Sequence, residues 1–241
     1  MTVKPGYLAL ICVLAVVAVN AFALSAELRA GKFDVNDSVL HYTLADRMVQ
    51  AIERGENPLD FWVSEWSLGY PVARSYQILG HLTLVFLYFL LGKTVSVLTL
   101  FVWARYVLVV LLPISVYVSA RLVILSRPAS VASAAISPLI ATNGLYGLEY
   151  GSFLWRGNGL FTQALAMHLL LLTLGFGFRA VRGKSSPMLS GVLLGLTFLS
   201  HFILGFIGVL SLGVLIFLPN VLELRKRLTR ISVIALTASA V

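Results

Sequence analysis

Few residues of this chain are equipped for chemistry, and they are unevenly placed. Of its 10 carboxylates, Glu27, Asp34, Asp37, Asp46, Glu53, Glu56, Asp60 and Glu65 fall between residues 27 and 65, leaving only Glu149 and Glu223 elsewhere. Acid–base chemistry must therefore begin in that one segment. Asp37 and His41 stand four residues apart, a spacing that puts both on one face of a helix. A carboxylate beside an imidazole can serve as a general base, and with Asp34 it can contribute to a divalent-cation site. The same residues also suit plainer duties: Asp37 or Ser38 can cap a helix, and His41 can lie on a surface. Asn36-Asp37-Ser38 also matches the short N-glycosylation pattern.

Three later places carry polar groups in apolar surroundings. Residues 149–158 read Glu-Tyr-Gly-Ser-Phe-Leu-Trp-Arg-Gly-Asn. There Arg156 offers a planar fork suited to phosphate, unless the stretch is an ordinary interfacial turn. His201, between Ser200 and Phe202, can donate to a phosphate or sugar hydroxyl, or pack against a neighbouring helix. Arg105 interrupts an apolar run and must pair, snorkel or line a cavity, with the acidic segment as a candidate partner. His81 and His168 read as packing residues.

The elements that position these groups belong to a membrane. Hydrophobic residues make up 59% of the chain, charged residues 12%, and mean hydropathy is +0.93. A soluble domain carries roughly 25% charged residues, so soluble, disordered and collagenous classes are excluded. The net charge of +8 comes from bases at the ends of apolar runs, such as Arg179, Arg182 and Lys184, or Arg225, Lys226, Arg227 and Arg230. That is the pattern of cytoplasmic loops, and no basic–aromatic face supports nucleic-acid binding. The lone Cys12 excludes an intrachain disulfide and a cysteine-rich metal site.

The spans follow from length. Residues 7–24 form a first apolar run behind Lys4, which holds the N-terminus in the cytoplasm; the run exceeds the about 7–15 residues of a signal-peptide core. Residues 25–74 are too polar for the bilayer and form an external loop. In it Leu40, Leu44, Met48, Ala51 and Ile52 predict an amphipathic helix ended by Gly55, and Trp62, Trp66 and Tyr70 suit the headgroup level. Apolar stretches follow at 76–92, 95–125, 129–148 and 160–178. Residues 187–218 would make a helix of about 48 Å with bases at both ends, so a hairpin with its tip near His201 is expected. Counting back from Arg179 puts 149–158 outside and Arg121 with Arg127 inside. An odd number of crossings must then separate the external loop from Arg121, where two apolar stretches lie; either 76–92 is re-entrant or interfacial, or the charge rule fails locally. Residues 231–241 make half a span, as expected of the N-terminal part of a longer protein. The chain thus reads as one all-α, polytopic membrane domain over 1–241 with about 6–8 spans.

The sequence Asp37-x-x-x-His41, Gly55-x-x-Pro58, Trp62 and Trp66, Gly69-Tyr70-Pro71, Tyr76 and Leu91-Gly92 resembles GT-C fold membrane glycosyltransferases. More narrowly it is similar to bacterial integral membrane proteins labelled 6-pyruvoyl-tetrahydropterin synthase-related, which also share Trp155-Arg156-Gly157 and the run from Gly195 through Leu196, Thr197, Phe198, Leu199 and Ser200 to His201. The likeness covers roughly residues 7–218. It implies an all-helical membrane domain, a base or metal-holding carboxylate in the first external loop, and a polyprenyl-phosphate-linked sugar donor transferred with inversion. Asp37 matches the loop aspartate, with His41 beside it. Arg156 and His201 fall, by topology, where donor-phosphate contacts are useful, and Asp34, Tyr70, Arg105 and Glu149 complete the substrate-binding set. Many GT-C enzymes carry adjacent acids where Asn36 and Ser38 flank Asp37, which leaves a divalent cation open. The pterin label fits no soluble domain here. Expected partners are membrane lipid and the donor, at the cell membrane. A transporter or flippase for a lipid-linked substrate, or a non-catalytic assembly subunit, are the alternatives.

Overall fold

The computed structural model describes residues 5–25, 28, 37–64, 69–139, 161–218 and 223–241. Among these the chain is all-α, with a single antiparallel bridge between Val63 and Tyr70. Helix α1 (Pro5–Ala23) begins with proline in the first turn, where its missing N–H costs nothing. Helix α2 (Asp37–Glu53) buries Leu44, Ala45, Met48, Val49 and Ala51, and Gly55 at φ +73° ends it in the left-handed region that glycine tolerates. Then come α3 (Leu79–Leu90) and α4 (Val97–Leu122), the latter capped by Ser96 Oγ accepting from the Thr99 N–H. Helix α5 (Arg127–Ile136) is capped by Ser126, and α6 (Phe161–Val181), α7 (Pro187–Ser200), α8 (Phe202–Val214) and α9 (Leu224–Ser239) complete the set. Helices α1, α4 and α6 are long and apolar enough to cross a membrane, which marks a membrane protein. At 12–14 residues, α3, α7 and α8 reach only about 18–21 Å.

Cross-helix contacts fix the direction of each helix. The Tyr106 hydroxyl donates to Ala21 O at 2.7 Å and Asn20 Nδ2 to Val109 O at 3.1 Å, so α1 and α4 are antiparallel. Phe101 meets Phe161, His168 bridges Ser115 and Leu108 O, and Ser119 Oγ donates to Leu171 O at 2.6 Å; α4 and α6 are therefore parallel. A cavity of about 410 Å³ lies between Pro5, Leu8 and Cys12 of α1 and Arg127, Pro128 and Val131 of α5, so these two helices start together. Arg121, Arg127, Arg179, Arg182, Lys184 and the bases of α9 thereby share one end of the bundle. The opposite end holds α2, α3 and the starts of α4 and α6.

Two stretches that the sequence left open or placed differently are defined here. The 76–92 stretch is helical only from 79 to 90, and α3 lies along α2: His81 meets His41 near one end, and Lys93 pairs with Glu53 at 2.7 Å just past the other. It stays at the α2 end of the bundle, away from Arg127. The final helix begins at Leu224, not 231, taking in the basic cluster. Cations oppose the positive end of a helix, but Arg227 donates to Leu218 O and Arg230 Nη1 to Ala180 O at 3.1 Å, placing the charge on carbonyls. The long 187–218 run does fold back, breaking at His201, with Gly205 against Phe198 and Gly208 against Leu194.

Candidate functional site

Helix α2 is amphipathic because an apolar core lies beneath it: Leu44, Met48, Phe61, Val63, Leu84, Val85, Phe101 and Phe161 pack together from α2, α3, α4, α6 and the loop between α2 and α3. Two histidines sit inside that core. His41 and His81 are both wholly buried, and His41 Nδ1 lies 3.1 Å from His81 Nε2. Aromatic rings close around them. Tyr76 stands 5.7 Å from His41 and 6.0 Å from His81 between centroids, and Phe161 stands 6.1 and 5.9 Å away. Phe161 reaches this position because residue 80 is glycine; a Cβ there would come within 2.9 Å of its ring.

The electrostatics follow from the burial. Loss of water holds the His41 imidazolium down to about 4, and the charges of Arg105 and then His201 push the same way. Both residues are therefore close enough to act on His41, although they come from α4 and the α7–α8 break. Arg105 is 9% exposed, with its guanidinium carbon 5.5 Å from the Phe101 ring centroid, a cation–π contact. His201 caps α8, its Nδ1 accepting from the Leu204 N–H at 3.4 Å. A neutral imidazole that accepts at Nδ1 carries its proton on Nε2, which makes that nitrogen a donor. Among the described residues His41 Nε2 is buried without a hydrogen-bond partner. An unsatisfied buried polar atom costs about 1–3 kcal/mol, a loss that a bound hydroxyl would relieve.

Asp37 and His41 share a helix but not an environment. Asp37 is exposed in the first turn of α2, and the capping position falls to residue 36, outside the described residues. Its charge is felt at Tyr76: burial raises that phenol, the neighbouring Thr162 hydroxyl works the other way, and the Asp37 carboxylate adds to the rise. His41 is no surface residue, and its ring is bonded to His81 instead of Asp37. Tyr70 stands apart on the bridge with Val63, 44% exposed, donating its hydroxyl to Ser75 Oγ at 2.7 Å. Asp34, Glu149 and Arg156, like Trp66, lie outside the described residues. Among the described residues no three of His, Cys, Asp or Glu gather as a metal site.

The fold thus brings Asp37, His41, Arg105 and His201 to one end of the bundle and adds Tyr76 and His81. His81 is not the simple packing residue its apolar run suggests. No short-range signal gives the pairing away, since the partners are 40 residues apart. His168 does pack: Nδ1 meets Ser115 Oγ and Nε2 meets Leu108 O, both at 2.7 Å. Comparison of the chain with protein-family models, with curated proteins and with solved structures finds no match.

Proposed function

We propose that the chain forms the membrane part of a GT-C-type glycosyltransferase, moving a sugar from a polyprenyl-phosphate-linked donor to a hydroxyl at the outer face of the cell membrane. The observation that carries this is the convergence, at one end of an apolar helical bundle, of a buried imidazole whose Nε2 has no hydrogen-bond partner among the described residues, a guanidinium and a rim carboxylate. The end bearing Arg121, Arg127, Arg179 and the bases of α9 is the cytoplasmic one under the positive-inside rule, which puts the His41 end outside. The N-terminus is then cytoplasmic and the chain multi-pass.

The chemistry needs a base and a counter-charge. The acceptor hydroxyl gives its proton to His41 Nε2 while its oxygen bonds the anomeric carbon. The bond from that carbon to the phosphate oxygen breaks, and polyprenyl phosphate leaves with the electron pair. Arg105 and the Nε2–H of His201 offset the charge that develops on it. Asp37, nearer the surface, holds acceptor hydroxyls. An exposed Asp37 beside a buried His41 thus divides between two residues the work that the sequence assigns to the pair.

The test is release of free polyprenyl phosphate from a panel of labelled donors by the full chain in nanodiscs. Release is expected, with His41→Gln lowering turnover about 10²–10⁴-fold and Asp37→Asn at least about 10-fold. No release from any donor would end this proposal. A fully active His41→Gln beside an inactive Asp37→Asn would move the base to Asp37.

A further inference from the structure

The first helix is only partly held by protein. Among the described residues α1 buries Ala9, Val13 and Asn20, and the side it turns to α5 is not filled. The cavity of about 410 Å³ there lies between Leu8, Ala9 and Cys12 of α1 and Val131 and Ala132 of α5, with Arg127 at its start. A second cavity of about 320 Å³ follows, between Val16, Asn20 and Ala23 of α1 and Ala135 and Pro138. The α1 residues lining the two recur every three or four positions, so both cavities lie on one face of that helix and line up as one groove. From Pro5 to Ala23 it follows about 27 Å of helix, close to the about 30 Å of a bilayer core.

The width of the groove says what fits. About 410 Å³ spread along the about 10 Å of helix from Pro5 to Cys12 leaves a section of about 40 Å². A helix about 10 Å across needs about 80 Å², so the groove is too narrow for one. A hydrocarbon chain, whose carbons touch their neighbours at about 4 Å, goes in. Leu8, Pro128 and Ala132 are exposed, so the groove opens to lipid and an acyl chain enters without leaving apolar surroundings. The charge is one-sided. Among the described residues lining the two cavities only Arg127 is charged. It is exposed at the start of α5, and Arg121, donating to Leu125 O, stands just before it. The sequences of α1, α4 and α5 hold no carboxylate to compete for these cations. Both α1 and α5 begin at this end, which adds their positive poles to the mouth of the groove.

We infer that the α1–α5 groove is a binding site for an anionic phospholipid, with an acyl chain in the cavity between Leu8, Cys12 and Val131 and the phosphate on Arg127. A zwitterionic lipid offers the same chain, but its ammonium offsets its phosphate, so the arginine selects the acidic head. A chain that spans one leaflet reaches about 15 Å, half the bilayer core, and therefore fills the first cavity and stops in the second. The site lies at the opposite end of the bundle from His41 and does not rest on the glycosyltransferase proposal.

Phospholipids carrying a photoreactive diazirine in one acyl chain test this, with the full chain in phosphatidylcholine nanodiscs. Labelled phosphatidylglycerol should leave adducts on Leu8, Cys12, Val131 and Ala132 at least about 5-fold above labelled phosphatidylcholine, the ratio that one surface cation supplies. Excess unlabelled phosphatidylglycerol should remove them, and inorganic phosphate should not. Arg127→Gln should bring the two lipids within about 2-fold of each other, whereas Arg127→Lys should retain most of the preference. Ala132→Phe, which fills the cavity, should abolish adducts from both. Ile203 and Phe206, exposed on α8, report ordinary boundary lipid and should show no preference. Equal adducts from the two lipids overturn the inference, as does an Arg127→Gln protein that keeps the preference. Labelling of α1 and α5 no stronger than at Ile203 and Phe206 also overturns it. So does loss of the adducts when two copies share a nanodisc, which would make the occupant a second chain. If Ala132→Phe does not fold, the two lipids and the Arg127 variants still decide.

Discussion

At the scale of single residues, removal from water works against the charged form of His41 before any neighbour does, and Arg105 and His201 add to it. The folded protein therefore prefers the neutral ring. Between an unfolded value of 6.5 and a folded one of about 4, the unfolded chain binds more protons, so stability rises with pH across that window. The contribution is complete above about 6.5 and is lost as pH falls to about 4, amounting to about 3 kcal/mol. Melting the protein in detergent from pH 7.5 down to 4 should show this loss, and His41→Gln should make the slope shallower; equal slopes in the two proteins would mean that His41 does not titrate this way. Where turnover is measured, its acid limb should sit near 4, because the base works only while unprotonated. The spacing of Asp37 and His41 was legible in the sequence, but their separate environments were not. A four-residue spacing gives a shared face in angle alone, whereas burial depends on how far α3 and α6 extend over that face.

At the scale of elements, small residues let helices approach, as is usual where apolar packing against lipid offers no driving force. A Cβ on Gly191 would come within 2.8 Å of Ile234 O, a backbone atom that cannot step aside, and one on Gly195 within 2.9 Å of Ala238 O. Gly191→Ala should therefore cost about 1–3 kcal/mol and loosen α7 from α9. No described residue stands within 4 Å of a Cβ placed on Gly213, so Gly213→Ala should be neutral or stabilise by up to about 1 kcal/mol. Paired thermal melts check the contrast, and an equal response at both sites would show that the α7–α9 contact is not tight. The sequence yields the break at His201 from length alone, since so long a run with bases at both ends has to turn. The early start of α9 escaped it: arginine and lysine form helices well, but their charges stand at an unfavourable end until Leu218 and Ala180 supply carbonyls.

At the scale of the whole molecule, Arg121, Arg127, Arg179, Arg182, Lys184 and the bases of α9 gather at one end and the acidic α2 segment with its histidine pair lies at the other. If the positive-inside rule holds, a membrane-impermeant thiol reagent should reach a cysteine at Ser96 from outside the cell and one at Ser186 from inside, in a Cys12→Ser background. Labelling of both from the same side would contradict the orientation. Both serines are exposed helix caps on short connections, so the substitutions should cost only about 0.5–2 kcal/mol of capping.

Composition and run length by themselves determined the class of this protein, because a chain with so little charge cannot cover a soluble surface. They also placed the amphipathic helix at 37–53, whose periodicity records a buried face without saying what covers it. The tertiary structure alone decided which polar groups meet. His41 with His81, and Arg105 and His201 beside them, come from four separate parts of the chain, and distance along a sequence carries no term for contact across a bundle. It also decided that α3 stays at the His41 end, since hydropathy measures whether a helix tolerates lipid, and the Glu53–Lys93 pair and the α2 core determine where this one rests.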